Sequence, residues 1–305
     1  MNWMNHVHYV EIEPPAEFNF TECWMFLKRS NQEILHQIKE DVLFKLLKIK
    51  DQLIVCRISE QAYKMKVEFP MNQPSLHDRE GIVRYLIEWF DLETDLACFY
   101  QMANKDNILQ PLTEKYRGLR LLGIPDLFEA LVWAIIGQQI NLTFAYTLKK
   151  RFVEQFGESV TFEGESHWLF PTPEKIATIQ VEDLRNLQFT QRKAEYIIDI
   201  AKCIASEYQL TKEMLYQKKD YEDMKNSLMS IRGIGAWTAD YVLMKTFQEL
   251  SAFPIADVGL HNALKRQLGL ERKPTIEEIT HYSQHWQGWQ AYATFYLWRS
   301  LYETV

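Results

Sequence analysis

Leu228-Met229-Ser230-Ile231-Arg232-Gly233-Ile234-Gly235-Ala236-Trp237-Thr238-Ala239-Asp240-Tyr241 reads as two helices joined by a glycine turn. The pattern predicts one helix ending near Met229 and a second beginning at about Ala236. Between them, Gly233-Ile234-Gly235 lets the backbone approach a ligand closely, because two of its three residues lack a Cβ. The amides of the turn then lie at a helix start, where free N–H groups and the helix dipole favour a phosphate. Gly-x-Gly alone marks only a tight turn. Here it belongs to a longer pattern, Ile-x-Gly-Ile-Gly-x-x-Thr-Ala.

Around this hairpin the chain is helical from about residue 113. Asp126 stands three residues before Glu129 and opens an apolar run, a capping-box arrangement that recurs at Thr275 and Glu278. Residues 143–156 are amphipathic and stop at Gly157. Thr172-Pro173 sets a cap and an N1 proline before a further helix. Residues 190–205 and the aromatic-rich 286–302 also read as helices. The first hundred residues differ. Tyr63, Met65, Val67 and Phe69 alternate with Lys64, Lys66 and Glu68, the period of a half-buried strand. Residues 53–58 form an apolar, β-branched strand candidate, and 23–29 and 81–90 look helical. The expected fold is α+β and predominantly α. A small N-terminal antiparallel sheet domain with helices on one face (1–110) precedes a two-part helical body (111–305). One part, about 126–249, holds the hairpin at 228–247; the other is 250–305.

Composition sets outer bounds. The 305 residues, 47% hydrophobic and 25% charged, describe a globular protein of about two domains. No apolar run approaches the ~20 residues of a membrane helix, and the first 15 residues lack the pattern of a secretory leader. The four cysteines are far apart, which excludes a zinc knuckle or a C-x-x-C pair and suggests reduced thiols in a cytoplasm. The net charge of −7 argues against a nonspecific nucleic-acid coat. It is uneven: residues 1–112 carry 12 Lys and Arg against 17 Asp and Glu, and residues 113–305 carry 22 against 24. Basic clusters such as Lys149-Lys150-Arg151 and Arg192-Lys193 read as solvated helix faces. The eight histidines show no metal-ligand spacing.

The hairpin pattern resembles the helix-hairpin-helix of DNA repair glycosylases, which holds a DNA backbone phosphate. Twenty residues after Trp237 lies Asp257, in Phe253-Pro254-Ile255-Ala256-Asp257-Val258-Gly259-Leu260. An acidic residue at that distance resembles the catalytic aspartate of this superfamily. The apolar run and loop at 128–139, the segment Phe170-Pro171-Thr172-Pro173 and the tail at 286–298 are similar to those of the 3-methyladenine DNA glycosylase II (AlkA-type) family. The resemblance covers nearly the whole chain, loosely in residues 1–110. It implies a monofunctional glycosylase of base excision repair that flips out alkylated purines such as 3-methyladenine from double-stranded DNA and leaves an abasic site.

Asp257 is the expected catalytic residue. It also precedes a plausible helix, so it can serve as an N-cap as well. Cleaving an N-glycosidic bond leaves positive charge on the sugar, which a fixed carboxylate stabilises; Asp257 could also activate the attacking water. The resemblance implies that Trp237, Tyr241 and Trp298 form the base pocket, although such aromatic stripes are also ordinary core. An aromatic pocket suits a flipped cationic base. The same resemblance assigns DNA contact to Gly233, Ile234, Gly235, Thr238, Gln138 and Gln139. Gln139 occupies the wedge position, where leucine is frequent, and Val258 and Arg299 also depart from the family pattern. Trp237 stands where lyase-competent relatives carry lysine, and Lys245, two turns on, should not substitute. No cofactor is expected. The backbone carbonyls of Met229, Ile231 and Ile234 could hold a monovalent cation, again by resemblance. The protein is expected to be a monomer with no membrane partner. Two other readings stay open: a glycosylase for oxidised or deaminated bases, and a catalytically inactive lesion-binding protein.

Overall fold

The computed structural model describes residues 2–206 and 210–302. Its N-terminal part holds β1 (Trp3–Asn5), β2 (Tyr9–Ile12), α1 (Phe20–Leu27), β3 (His36–Lys39), β4 (Val42–Ile49), β5 (Gln52–Gln61), β6 (Lys64–Glu68) and α2 (Leu76–Trp89). The strands form one antiparallel sheet in the order β1-β2-β6-β5-β4-β3. Alternation fixes the register. Val10 and Ile58 both lie opposite Val67, and Ile12 lies opposite Met65, all on a buried face. That face packs with Cys23, Trp24, Ile82 and Leu86 of α1 and α2.

The rest is mostly helix: α3 (Ala97–Ala103), α4 (Gln110–Lys115), α5 (Leu127–Gly137), α6 (Leu142–Phe156), then the strands β7 (Glu158–Phe162) and β8 (Glu165–Leu169), then α7 (Pro173–Ala177), α8 (Val181–Asn186), α9 (Gln191–Ala205), α10 (Lys212–Tyr216), α11 (Tyr221–Met229), α12 (Ala236–Phe247), α13 (Val258–Gln267), α14 (Ile276–Tyr282) and α15 (Gln290–Arg299). Local signals set most boundaries. The Thr275 and Glu278 side chains each accept the other's backbone N–H, a full capping box. Asp126 caps α5 by accepting from the Glu129 amide at 2.6 Å, but the Glu129 carboxylate turns to Lys149 instead of reaching back. The tail is not one helix. A 3-10 turn at Ser283–Trp286 precedes α15, with Gly288 in the left-handed region at φ +77° between them.

The expected all-helical body contains a β-hairpin. Strands β7 and β8 pair antiparallel through Glu163-Gly164, both at positive φ. The hairpin lays Val160, Phe162 and Leu169 against Phe44, Leu46 and Val55, on the sheet face away from α1 and α2. The sheet is therefore covered on both faces, not on one. Lys39–Glu165 and Lys48–Glu158 ion pairs edge the contact, both at 2.9 Å. The basic clusters also differ from expectation. Lys149 and Lys193 are buried. Lys149 clamps the carboxylate of Glu33 from the N-terminal part, at 3.0–3.1 Å, so it ties the two parts of the chain together instead of facing solvent.

Candidate active site

Three elements converge on the glycine turn. Helix α11 ends at Met229 and α12 starts at Ala236, as the pattern predicts. The N-cap of α12 is Gly235, which has no side chain to satisfy the first amides of the helix, so these remain available to an anion. Gly233 has φ +94°, and a Cβ there would lie 2.4 Å from the Tyr196 ring. At Gly235 a Cβ would meet nothing within 4 Å. The first glycine is thus demanded by the fold and the second leaves space outside the helix start. Of the other hairpin residues, Ile234 and Thr238 have buried side chains, so only their backbone can face a ligand. The Gln138 amide donates to the Gly233 carbonyl at 3.0 Å and to the Thr238 hydroxyl at 3.1 Å, bracing the turn from the end of α5. Lys193 in turn donates to the carbonyls of Ile136 (2.8 Å) and Gln138 (2.6 Å), closing the C-terminal end of α5. Gln139 projects from the same loop, exposed and at φ +57°.

The cation donors expected here are neutral carbonyl oxygens of Met229, at the end of α11, and of Ile231 and Ile234 in the turn that follows, a set suited to a monovalent ion. The Ile231 carbonyl already accepts the Ile234 N–H at 3.1 Å and keeps a second lone pair. The residues therefore fit such an ion. Among the described residues no group of three or more His, Cys, Asp or Glu could hold a metal.

Asp257 is the N-cap of α13 and accepts the Leu260 amide at 2.8 Å through Oδ1. The same oxygen accepts the indole N–H of Trp298 at 2.8 Å, and Oδ2 accepts that of Trp237 at 3.1 Å. Three N–H donors thus hold a half-buried carboxylate in one orientation. Trp237, Tyr241 and Trp298 come together as expected: Tyr241 lies between the two indoles, 5.6 Å and 6.0 Å from them, with rings tilted by 31° and 37°. The Tyr241 hydroxyl accepts from Trp133 of α5 at 2.9 Å. Burial pushes the Tyr241 hydroxyl far above the ordinary tyrosine range, so it stays neutral. Gly259, which sequence reading passed over, completes the clamp. A Cβ there would lie 2.8 Å from Asp257 Oδ1 and 3.2 Å from the Trp298 ring. Its signal was the glycine two residues after the aspartate. Val258 is exposed beside it. His261 points its Nε2 at the Ile255 carbonyl, 2.8 Å away, instead of outward.

Lys245 is buried. Its ammonium nitrogen donates to the Leu122 carbonyl and lies 4.8 Å from the Phe295 ring centre. Burial holds its pKa well below the ordinary lysine range. Arg299 is also buried and pairs with Glu22 of α1 at 2.8 Å, so this departure from the family pattern serves the junction with the sheet domain.

The family description "HhH-GPD superfamily base excision DNA repair protein" matches residues 132–288, and "8-oxoguanine DNA glycosylase, N-terminal domain" matches residues 6–131. The chain belongs to the HhH-GPD superfamily. It is a DNA glycosylase of base excision repair, with relatives among the 3-methyladenine glycosylases. It is 43% identical to the DNA-3-methyladenine glycosylase of Bacillus subtilis, over 99% of this chain and 100% of that one. To DNA-3-methyladenine glycosylase 2 of Escherichia coli it is 30% identical, over 67% of each. The 3-methyladenine DNA glycosylase of Archaeoglobus fulgidus has a similar structure, with a TM-score of 0.80 at 25% identity, covering 94% of this glycosylase and 96% of that chain. The 8-oxoguanine glycosylase/lyase of Clostridium acetobutylicum shares the fold, with a TM-score of 0.74 at 18% identity, 97% of this chain and 98% of that one.

Proposed function

We propose that the glycosylase is monofunctional and releases alkylated purines such as 3-methyladenine from double-stranded DNA. The observation that carries this reading is the Asp257 carboxylate held by two indole donors at the edge of the Trp237–Tyr241–Trp298 aromatic set. The named activities of the B. subtilis and E. coli relatives support it. The uncapped start of α12 grips a phosphate, the loop at Gln138 and Gln139 fills the space left by the flipped nucleotide, and the aromatic faces receive the base. A base already carrying positive charge departs without a general acid, because the electron pair of the C1′–N bond neutralises it. Water then adds to C1′ and gives its proton to solvent. Asp257 stabilises the sugar cation, with an orientation fixed before the reaction. A monovalent ion on the carbonyls of Met229, Ile231 and Ile234 would add positive potential beneath the phosphate. The protein acts as a monomer.

A lyase needs a free amine at the sugar. Trp237 supplies none, and the Lys245 amine is engaged by the Leu122 carbonyl. On methylated duplex DNA the protein should release free 3-methyladenine and leave an unbroken abasic strand. Borohydride added during turnover should trap no protein–DNA adduct. Trapping through a lysine of this chain would overturn the monofunctional reading.

A further inference from the structure

Strand β4 carries a lysine where its pattern calls for an apolar residue. Leu43, Lys45 and Leu47 alternate onto the sheet face covered by α1 and α2, and all three are buried. Lys45 is 6% exposed, and its neighbours across the ladder are His36 of β3 and Cys56 of β5. A core ammonium ordinarily has a carboxylate beside it. Among the described residues Lys45 makes no hydrogen bond and no ion pair. Its Nζ lies only over the rings of Trp89 and Tyr85 of α2, 5.6 Å and 5.9 Å from their centres. Glu129, Glu33 and Asp126 attract it from beyond ion-pair distance.

Lys45 lines a cavity of about 50 Å³ at the seam between the sheet domain and the helical body, room for one or two particles the size of water. None of Asp257, Trp237, Tyr241 and Trp298 lines it. Four basic groups do, Lys45, Lys149, Lys245 and the half-buried Arg29, against two carboxylates, Glu33 and Glu129. His36 lines it too, but burial pushes its pKa down to about 4, so it is neutral near pH 7. Both carboxylates turn to Lys149, Glu33 with its two oxygens at 3.0–3.1 Å and Glu129 at 3.8 Å. Lys245, 5% exposed, has only the neutral Leu122 carbonyl as a hydrogen-bond partner. Positive charge is therefore in excess around the cavity. Burial draws Lys45 and Lys245 below the ordinary lysine range, as expected of ammonium groups short of a counter-charge.

We propose that this cavity binds one monovalent anion of halide size, chloride being the common one, on the Lys45 ammonium. An unpaired core charge costs stability unless a counter-charge reaches it, and the fold supplies no carboxylate for Lys45. The size of the cavity selects the ligand. A halide is little larger than a water molecule, whereas a nucleotide or a sugar acid has no room. Lys45, Tyr85 and Trp89 reach the cavity from the sheet domain, and Trp133, Lys149 and Lys245 from the helical body. The bound anion thus ties the two parts of the chain together. The site is independent of which base the enzyme releases.

The test uses the full chain without DNA. Chloride NMR line width reports exchange of the ion with the protein, and sodium gluconate, too large for the cavity, replaces sodium chloride at fixed ionic strength. Wild type should broaden the chloride line, and bromide should compete the broadening away. At chloride about ten times its Kd, the folded-to-unfolded ratio should rise about tenfold over gluconate, a gain of a few degrees in Tm. Lys45→Met keeps the length of the side chain without its charge and should lose both effects. Glu129→Gln removes a competing negative charge and should tighten chloride binding by about threefold or more. Broadening that persists in folded Lys45→Met, or a chloride affinity unchanged in folded Glu129→Gln, overturns the site. A crystal of wild type grown in sodium bromide decides the matter without any variant. An anomalous bromide peak within hydrogen-bonding reach of Lys45 Nζ supports the proposal, and peaks confined to the surface, or none, reject it.

Discussion

Asp257→Asn separates the chemistry of the site from its architecture. Asparagine caps a helix as well as aspartate does, so α13 should start unchanged. Its carbonyl can still accept from Leu260 and Trp298, now bonded at 2.8 Å. The loss falls on the other oxygen. An NH₂ group would face the Trp237 indole N–H, now 3.1 Å away, donor against donor. Forfeiting one hydrogen bond to a charged group costs about 1–2 kcal/mol at this half-buried position, a fall of a few degrees in Tm. The catalytic loss is larger. Removing one preorganised electrostatic group lowers the rate by about 10²–10³, or roughly 2.7–4 kcal/mol of barrier. The assay is single-turnover release of 3-methyladenine, alongside the Kd for a duplex bearing an uncleavable abasic analogue. Base release should collapse while Kd and the salt dependence of binding hold. A folded Asp257→Asn variant with near-normal release would refute the assignment of Asp257.

Two further outcomes follow from the geometry. Gly233→Ala should lower Tm sharply, because it forces a side chain into φ +94° against Tyr196, whereas Gly235→Ala should fold normally and weaken duplex binding by crowding the open start of α12; equal effects in melting and binding assays would contradict this. Burial pushes His36 down to about 4, with Glu33, Lys45 and Lys149 as the charged groups facing it; the unfolded chain therefore takes up a proton that the fold refuses, so stability is full above about pH 6.5 and is lost as pH falls toward 4, and His36→Gln should flatten that part of a denaturation-versus-pH curve.

Much of the functional half was legible because its signals are local. The hairpin limits, the caps at Thr275 and Asp257 and the Trp237–Tyr241 spacing all sit within a few residues of the features they create. What stayed hidden was long-range. That two indoles 61 positions apart would each donate to one Asp257 oxygen is set by the packing of α12, α13 and α15, and no spacing encodes it. Lys193 read as a surface charge because a buried ammonium with carbonyl partners looks the same in sequence as a solvated one. The hairpin β7–β8 had a signal, Glu163-Gly164 between alternating residues, but the helical pattern on both sides obscured it.

That hairpin has a consequence for modularity. It belongs in sequence to the helical body, yet its apolar side is the cover for Phe44, Leu46 and Val55. Trimming the chain to residues 111–305 would strip the hairpin's own partner surface and leave the Lys149 ammonium without the Glu33 carboxylate. Each part thus carries a piece of the other's interior. The two should melt in a single calorimetric transition, and recombining the N-terminal part of one homologue with the body of another should succeed only when the residues meeting at this seam travel together.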